Sequence, residues 1–330
     1  MKALHLLGNG NVEIAEYPVP QPDETQVLVR VAASGVCGSE MGAVRGDDGM
    51  EMNAGHEVSG VIADPNGHAQ WQEGDRVGVF TLQGCGKCHW CRAGQATFCD
   101  QVGTPSATHS EYCVSKAHSL VSLPEDVSMP IAVLLCGDGL GVPYGASMRA
   151  QVDSGDLTCV FGCGPVGLGM VLVQAHTGAH VIAVEPSKPR RDLAMQMGAW
   201  QTIDPTEVDD MAGLLKEMTD GDGPDKCFEC SGRQDTLDIA LTATRPEGLI
   251  VMVGHGPQTM DPQKLIIKKN LRMMGNWVAH PGWYPDMLQL YRGGLPVERL
   301  VTDTLPFDRA QEAYTQMLQQ TCGKLILTWD

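Results

Sequence analysis

Two stretches of this chain carry residue types whose spacing implies chemistry. In the first, Cys85, Cys88, Cys91 and Cys99 follow the pattern C-x2-C-x2-C-x7-C. Four thiolates at that spacing suit a closed tetrahedral zinc site, which leaves no coordination position for a substrate, so the role it implies is structural. His89, inside the cluster, reads as a surface bystander. In the second, Gly162, Gly164 and Gly167 form a G-x-G-x-x-G turn between an apolar run at 157–161 and a helical pattern at 165–176. Gly162 permits the turn, Gly164 lets the backbone approach a pyrophosphate, and Gly167 lets the helix pack on the strand; the helix N-terminus then supplies donors for negative charge. A second apolar strand, 180–184, ends in Glu185, 23 residues beyond Gly162 and placed to accept from a ribose hydroxyl. The chemistry expected here is dinucleotide binding.

These groups need scaffolds. Up to about residue 123 the pattern is short strands between turns, at 12–15, 26–32, 57–62, 76–80 and 111–114, which predicts an antiparallel or barrel-like β region. Its loops carry Cys37-Gly38-Ser39, Gly55-His56-Glu57 and the cysteine cluster, as expected for functional groups displayed on a rigid β frame. A mostly apolar stretch at 131–146 reads as a helix interrupted by glycines. From 157 onward strands and helices alternate: strands at 157–161, 180–184, 201–203, 226–229, 249–253 and 271–274, with helices at 165–176, 187–197, 207–218 and 234–243. This alternation predicts an α/β, doubly wound parallel sheet. The tail from 275 holds two helical stretches and an apolar end, 324–328, that can return to the β-rich part.

With 330 residues the chain has the length of two domains. A formal charge of -17, from 40 acidic and 23 basic side chains, repels phosphate backbones and anionic lipid, so neither nucleic acid nor a membrane is an expected partner. No apolar run approaches the ~20 residues that span a bilayer, and no signal-peptide pattern opens the chain. A cytoplasmic location is expected, where twelve cysteines argue for metal binding or reduced thiols rather than disulfides.

Taken together, Cys37-Gly38-Ser39, Gly55-His56-Glu57, Gly74-Asp75-Arg76-Val77, the four-cysteine lobe, Gly162 to Gly167, Glu229-Cys230-Ser231-Gly232 and Val253-Gly254 resemble the zinc-containing medium-chain alcohol and polyol dehydrogenases over the whole chain. The resemblance implies a GroES-like catalytic domain, residues 1–140 and 276–330 with a structural zinc lobe at about 85–99, and a Rossmann NAD-binding domain at 141–275. The active site would lie in the cleft between them. It implies two zinc ions per chain, and a homodimer or homotetramer built partly on an edge strand near 271–275. Cys37 and His56 match the first two ligands of the catalytic zinc. Ser39 matches the hydroxyl that carries the alcohol proton outward, although a turn serine is the plainer reading; Gly42 stands where relatives often continue the relay with a histidine. Glu57 matches a glutamate near the metal, or else a buried ion-pair partner. Relatives place a cysteine, glutamate or aspartate as the third ligand. Counting back from Tyr144-Gly145-Ala146 assigns Asp138, with Cys136 as the alternative donor and, failing that, an apolar core thiol. If the segment is helical, residues two apart do not share a face, so only one of the pair reaches the metal.

Cofactor contacts implied by the resemblance are Gly162, Gly164, Pro165, Val166, Gly167, Glu185, Arg190 and Val253. Glu185 favours NAD over NADP, because its carboxylate would face the extra phosphate; Arg190 could soften that preference, while Lys188 and Arg191 read as solvated. The expected reaction is hydride transfer between NAD and a small-molecule secondary alcohol or polyol and its carbonyl product. Alternatives are a sugar, a threonine-like amino alcohol or an aldehyde, or a non-enzymatic dinucleotide-binding or structural protein. Residues 40–53 and 277–283 are the loops expected to shape the substrate pocket.

Overall fold

A computed structural model describes residues 1–105 and 107–329, with the backbone alone at 264 and 265. The chain divides into two compact units, Met1–Gly141 with Val278–Asp330, and Val142–Trp277. Among the described residues fifteen strands run in chain order: β1 (Lys2–Gly8), β2 (Asn11–Glu16), β3 (Gln26–Val36), β4 (Val58–Asp64), β5 (Arg76–Val79), β6 (Tyr112–Lys116), β7 (Leu120–Ser122), β8 (Leu157–Phe161), β9 (His180–Val184), β10 (Gln201–Ile203), β11 (Lys226–Glu229), β12 (Leu249–Met252), β13 (Arg272–Gly275), β14 (Val301–Pro306) and β15 (Lys324–Thr328). Among the described residues no single helix is long and apolar enough to cross a membrane.

In the first unit β1 and β2 form a hairpin closed by Asn9-Gly10, both at positive φ (52° and 83°), the backbone that a two-residue type I′ turn requires. The main sheet runs β14-β15-β3-β4-β5-β7, with β6 on β3. Alternate residues of β3 (Val27, Val29, Val31) face a core with Val58, Ile62, Val77, Val79 and Cys113, which is the period-2 pattern of a half-buried strand. β3 extends four residues beyond the expected 26–32. The extension exists because β15, from the far end of the chain, pairs with Ala33 to Val36, a partner that no local pattern reveals. β1, β7 and β14 were likewise not expected from sequence.

The stretch expected as one glycine-interrupted helix is two helices, Met129–Cys136 and Asp138–Arg149, broken at Gly137 (φ -109°, ψ -166°). A Cβ on Gly137 would sit 2.6 Å from both Val133 O and Glu57 Oε2, so the break needs glycine. The second helix contains the unit boundary, between Gly141 and Val142.

The second unit is a six-stranded, all-parallel sheet in the order β10-β9-β8-β11-β12-β13. Numbered within the unit this is 3-2-1-4-5-6, the doubly wound order whose chain reversal lies between its first and fourth strands. β8, β9, β10 and β11 and the helices Pro165–His176 and Gln234–Ala243 coincide with the expected ranges. The helix expected at 207–218 is shorter, Met211–Glu217, because the Asp210 side chain accepts from Gly213 N and starts it there.

Candidate active site

Three neighbouring strands of the first unit bring four chemically active residues to one sheet end. β3 finishes at Val36 and delivers Cys37; the chain returns through His56 and Glu57 into β4, with Ser34 opposite Val58 and Gly35 N–H donating to Glu57 O at 2.8 Å. β15 begins at Lys324, next to Leu325, which pairs with Val36. The helix Met129–Cys136 lies across β3, β4 and β5 and ends where Gly137 turns Asp138 toward the same place. One ligand atom each from Cys37, His56, Glu57 and Asp138 lies within 4.8 Å of the others. Cys136 is outside this group. It is fully buried with Sγ packed on Gly78, where a Cβ would come within 2.4 Å, and burial pushes its thiol far up.

The hydrogen bonds divide the work within the cluster. His56 Nδ1 donates to Ala54 O at 2.9 Å, which leaves Nε2 facing the cluster, 3.5 Å from Asp138 Oδ2. Asp138 Oδ1 is buried and has no hydrogen-bond partner. Glu57 is committed elsewhere: one oxygen pairs with Lys324 Nζ and the other accepts Asp138 N–H at 3.2 Å. Lys324 is 2% exposed; burial alone would lower its pKa, and the Glu57 carboxylate, helped by Cys37, more than reverses this. Ser39 is exposed, two residues from Cys37.

In the cysteine lobe the sulfurs of Cys85, Cys88, Cys91 and Cys99 also lie within 4.8 Å of one another. Main-chain N–H groups point at them: Cys88 N to Cys85 Sγ, Cys85 N to Cys99 Sγ and Gln101 N to Cys99 Sγ, each 3.3 Å. The N–H groups of Lys87 and Cys88 hold the Cys85 thiol down to about 6. The lobe has no room for a side chain at Gly84, whose Cβ would fall 2.3 Å from Cys91 Sγ. His89 is exposed, its ring tilted by 39° against Trp90 with centroids 4.2 Å apart.

In the second unit, Gly162 has φ +89° and Gly164 caps the helix Pro165–His176, with Pro165 and Val166 in its first turn. A Cβ on Gly167 would lie 1.9 Å from Gly162 O, whereas one on Gly164 meets nothing within 4 Å, leaving that backbone open to a ligand. Glu185, at the end of β9, accepts Cys163 N–H at 2.7 Å and Ser187 N–H at 2.9 Å, so it also holds the glycine turn in place. Arg190 is 8% exposed. Arg191 departs from expectation: it is not solvated but paired with Asp204 at 2.8 Å and bonded to the carbonyls of Glu185 and Pro186. Lys188 is solvated and pairs with Asp192 along its helix. Val253 follows β12, its N–H on Glu229 O, and the buried Glu229 carboxylate accepts the N–H groups of Ser231 and Gly232.

Residues 23–125 match the family model described as the alcohol dehydrogenase GroES-like domain, and residues 165–292 match that of the zinc-binding dehydrogenases. The L-threonine 3-dehydrogenase of Pyrococcus horikoshii is 31% identical over 95% of this chain and 94% of its own length. A probable D-xylulose reductase A of Neosartorya fischeri is 31% identical over 98% of this chain and 94% of its own. The chain belongs to the zinc-containing medium-chain alcohol and polyol dehydrogenases. Among solved structures, an alcohol dehydrogenase from Escherichia coli CFT073 in complex with NADH superposes on this dehydrogenase with a TM-score of 0.86 at 25% identity, covering 100% of this chain and 99% of that one.

The donors of both clusters fit zinc. In the first, a thiol, an imidazole and a carboxylate are the donor types of an open zinc site, with one position left for a non-protein oxygen. The unpartnered Asp138 Oδ1 lacks a donor that a cation would replace. The charge balance agrees. Burial pulls His56 toward its neutral form, yet hydrogen bonds with Asp138 and Cys37 outweigh this and push it up to about 12. A cluster so rich in acidic donors fits a divalent cation.

Several residues of this dehydrogenase escaped the sequence reasoning. Lys324 is one, although a lone lysine heading a fully apolar run is a signal. Glu40 and Asn53, the ends of a loop expected to shape the substrate pocket, are instead buried and bonded inward. Burial raises the Glu40 carboxyl, but His109, the Tyr314 hydroxyl and Cys37 N–H together hold it down to about 2.

Proposed function

We propose that Cys37, His56 and Asp138 hold a catalytic zinc, and that the enzyme interconverts a secondary alcohol or polyol with its ketone using NAD. The observation that carries this reading is the convergence of those three side chains with one buried carboxylate oxygen left unpartnered. Bound zinc supplies a Lewis acid that makes a hydroxyl group far more acidic, and NAD supplies the hydride acceptor. The chain's own residues do the rest. Ser39 Oγ, exposed beside Cys37, takes the alcohol proton outward; with Gly42 rather than histidine three residues on, the next carrier is water or the nicotinamide ribose. Glu57 and Lys324 act as a neutral buried pair that fixes Asp138 through its N–H, so the carboxylate is oriented before substrate arrives.

In the second unit the open backbone at Gly164 and the N-terminus of the helix Pro165–His176 receive the pyrophosphate, with Pro165, Val166 and Gly167 beneath it. Glu185 accepts from the adenosine ribose, Arg190 lies beside it, and Val253 contacts the nicotinamide half. The cysteine lobe holds a second, structural zinc. Residues 1–140 and 276–330 serve as the catalytic domain and 141–275 as the NAD-binding domain. A homodimer or homotetramer forms partly through β13, one of the two edge strands of its sheet. Twelve cysteines in one chain suit the reducing conditions of a cytoplasmic enzyme.

Assaying the purified protein on secondary alcohols, polyols, threonine and aldehydes with NAD and NADP, by nicotinamide absorbance, tests the reading. Turnover of a secondary alcohol with NAD by a two-zinc protein is the expected result. A two-zinc protein that binds NAD and oxidises none of these compounds would sink it.

A further inference from the structure

Behind the cluster, one residue outside it ties together the two loops that present Cys37 and His56. The ring of His109 reaches Ser34 Oγ through Nδ1 at 2.7 Å and the two Glu40 oxygens through Nε2 at 3.1 and 3.2 Å. Glu40 accepts Cys37 N–H at 2.9 Å and the Tyr314 hydroxyl at 2.5 Å. The His109 main chain grips the other loop. Its N–H donates to Asn53 Oδ1 at 3.0 Å, its carbonyl accepts from Asn53 Nδ2 at 3.1 Å, and the same Oδ1 accepts Gly55 N–H at 3.1 Å, next to His56.

None of Ser34, Glu40, His109 and Tyr314 is more than 1% exposed, so these bonds do not compete with water. Beyond the strand pairing at Ser34 and Gly35, the chain from Cys37 to Glu57 has only one short helix and a 3-10 turn of its own. The side chain and the main chain of one residue thus reach both of its ends, alongside Thr108 N–H on Gly55 O and Asn53 Nδ2 on Leu4 O. Partners that orient ligands without touching the metal typically change metal affinity by about 10–100-fold when removed.

We propose that His109 is a positioning residue that sets the spacing of Cys37 and His56, and thereby the retention of the catalytic zinc; this rests on the reading that these two residues bind it. The test is release of zinc to a chelating dye from the intact wild-type protein and from His109→Leu, His109→Gln and Tyr314→Phe, with the four-cysteine zinc as internal reference. In His109→Leu the catalytic zinc should bind about 10–100-fold more weakly while the structural zinc is unchanged. His109→Gln, whose amide nitrogen occupies the place of Nε2 toward Glu40, should recover most of the loss. Tyr314→Phe, which removes one bond to Glu40, should weaken binding a few-fold in the same direction. After cobalt(II) replacement, the thiolate-to-metal absorption of the catalytic site should shift in His109→Leu and return in His109→Gln.

Should His109→Leu fail to fold, the Gln and Phe variants carry the same comparison. A wild-type protein with two zinc ions and variants that keep both as tightly would overturn the role of His109. A wild-type protein that holds zinc only in the cysteine lobe would instead overturn the catalytic-site reading itself, and the proposal with it.

Discussion

Replacing Lys324 by Met keeps most of the aliphatic stem and removes the ammonium. Glu57, fully buried, is then left with the Asp138 N–H at 3.2 Å as its remaining hydrogen bond. Two unit charges about 4 Å apart attract by ~4 kcal/mol at an effective dielectric near 20, and breaking a buried pair from one side costs about 3–5 kcal/mol. For a unit of this size each kcal/mol moves the midpoint by about 2–4 °C, so the variant stripped of catalytic zinc should melt roughly 6–20 °C lower. Zinc bound at Cys37, His56 and Asp138, as proposed, would place a cation near the orphaned carboxylate. The zinc-loaded variant should therefore lose less stability than the stripped one. Glu57→Gln in the Lys324→Met background removes the unpaired charge and should restore most of the loss. Denaturation of wild type, both single variants and the double variant, with and without a chelator, measures all of this in one cycle. The reasoning is refuted if Lys324→Met is as stable as wild type after chelation, or if the double variant is no more stable than Lys324→Met alone.

Asp138→Ala should lose catalytic zinc and activity, whereas Cys136→Ser should keep most of both while losing some stability where Sγ packs on Gly78; metal analysis with steady-state rates reads the pair, and the reverse pattern would transfer the ligand role to Cys136. Cys88→Ser should lower the zinc content by one ion and reduce stability before it touches the chemical step. Loss of turnover in a Cys88→Ser protein of normal stability and full zinc content would count against a structural lobe. For the cofactor, repulsion between Glu185 and the additional phosphate of NADP, ~1 kcal/mol in water and ~4 at a dielectric near 20, predicts a several-fold to several hundred-fold higher kcat/KM with NAD. Equal efficiency would overturn it. Because Glu185 also holds Cys163 N–H, Glu185→Ala should weaken NAD binding as well as relax the preference, measurable by fluorescence titration of both cofactors.

What was legible in the sequence was local. The ends of β8 and β9 could be read because each is a short, mostly apolar run closed by turn residues, and buried parallel strands need no more signal than that. The glycine turn was legible because φ > 0 at Gly162 and the close approach at Gly167 admit no other residue. The cysteine lobe was legible because four donors within fifteen residues have one plausible partner. The cluster of Cys37, His56, Glu57 and Asp138 was only half visible. Cys37 and His56 stood out by resemblance, but nothing local separated Asp138 from Cys136; the break at Gly137, where Glu57 and Val133 leave room only for glycine, put one in the cluster and the other in the core. Lys324 meets Glu57 across 267 positions and Tyr314 meets Glu40 across 274. No periodicity encodes such pairs, because it records which face of an element is apolar and not which distant strand closes the sheet. The alignment of β15 with the last residues of β3 decided the length of β3 and put the buried Lys324 behind Cys37, His56 and Asp138, and only the folded chain contains that alignment.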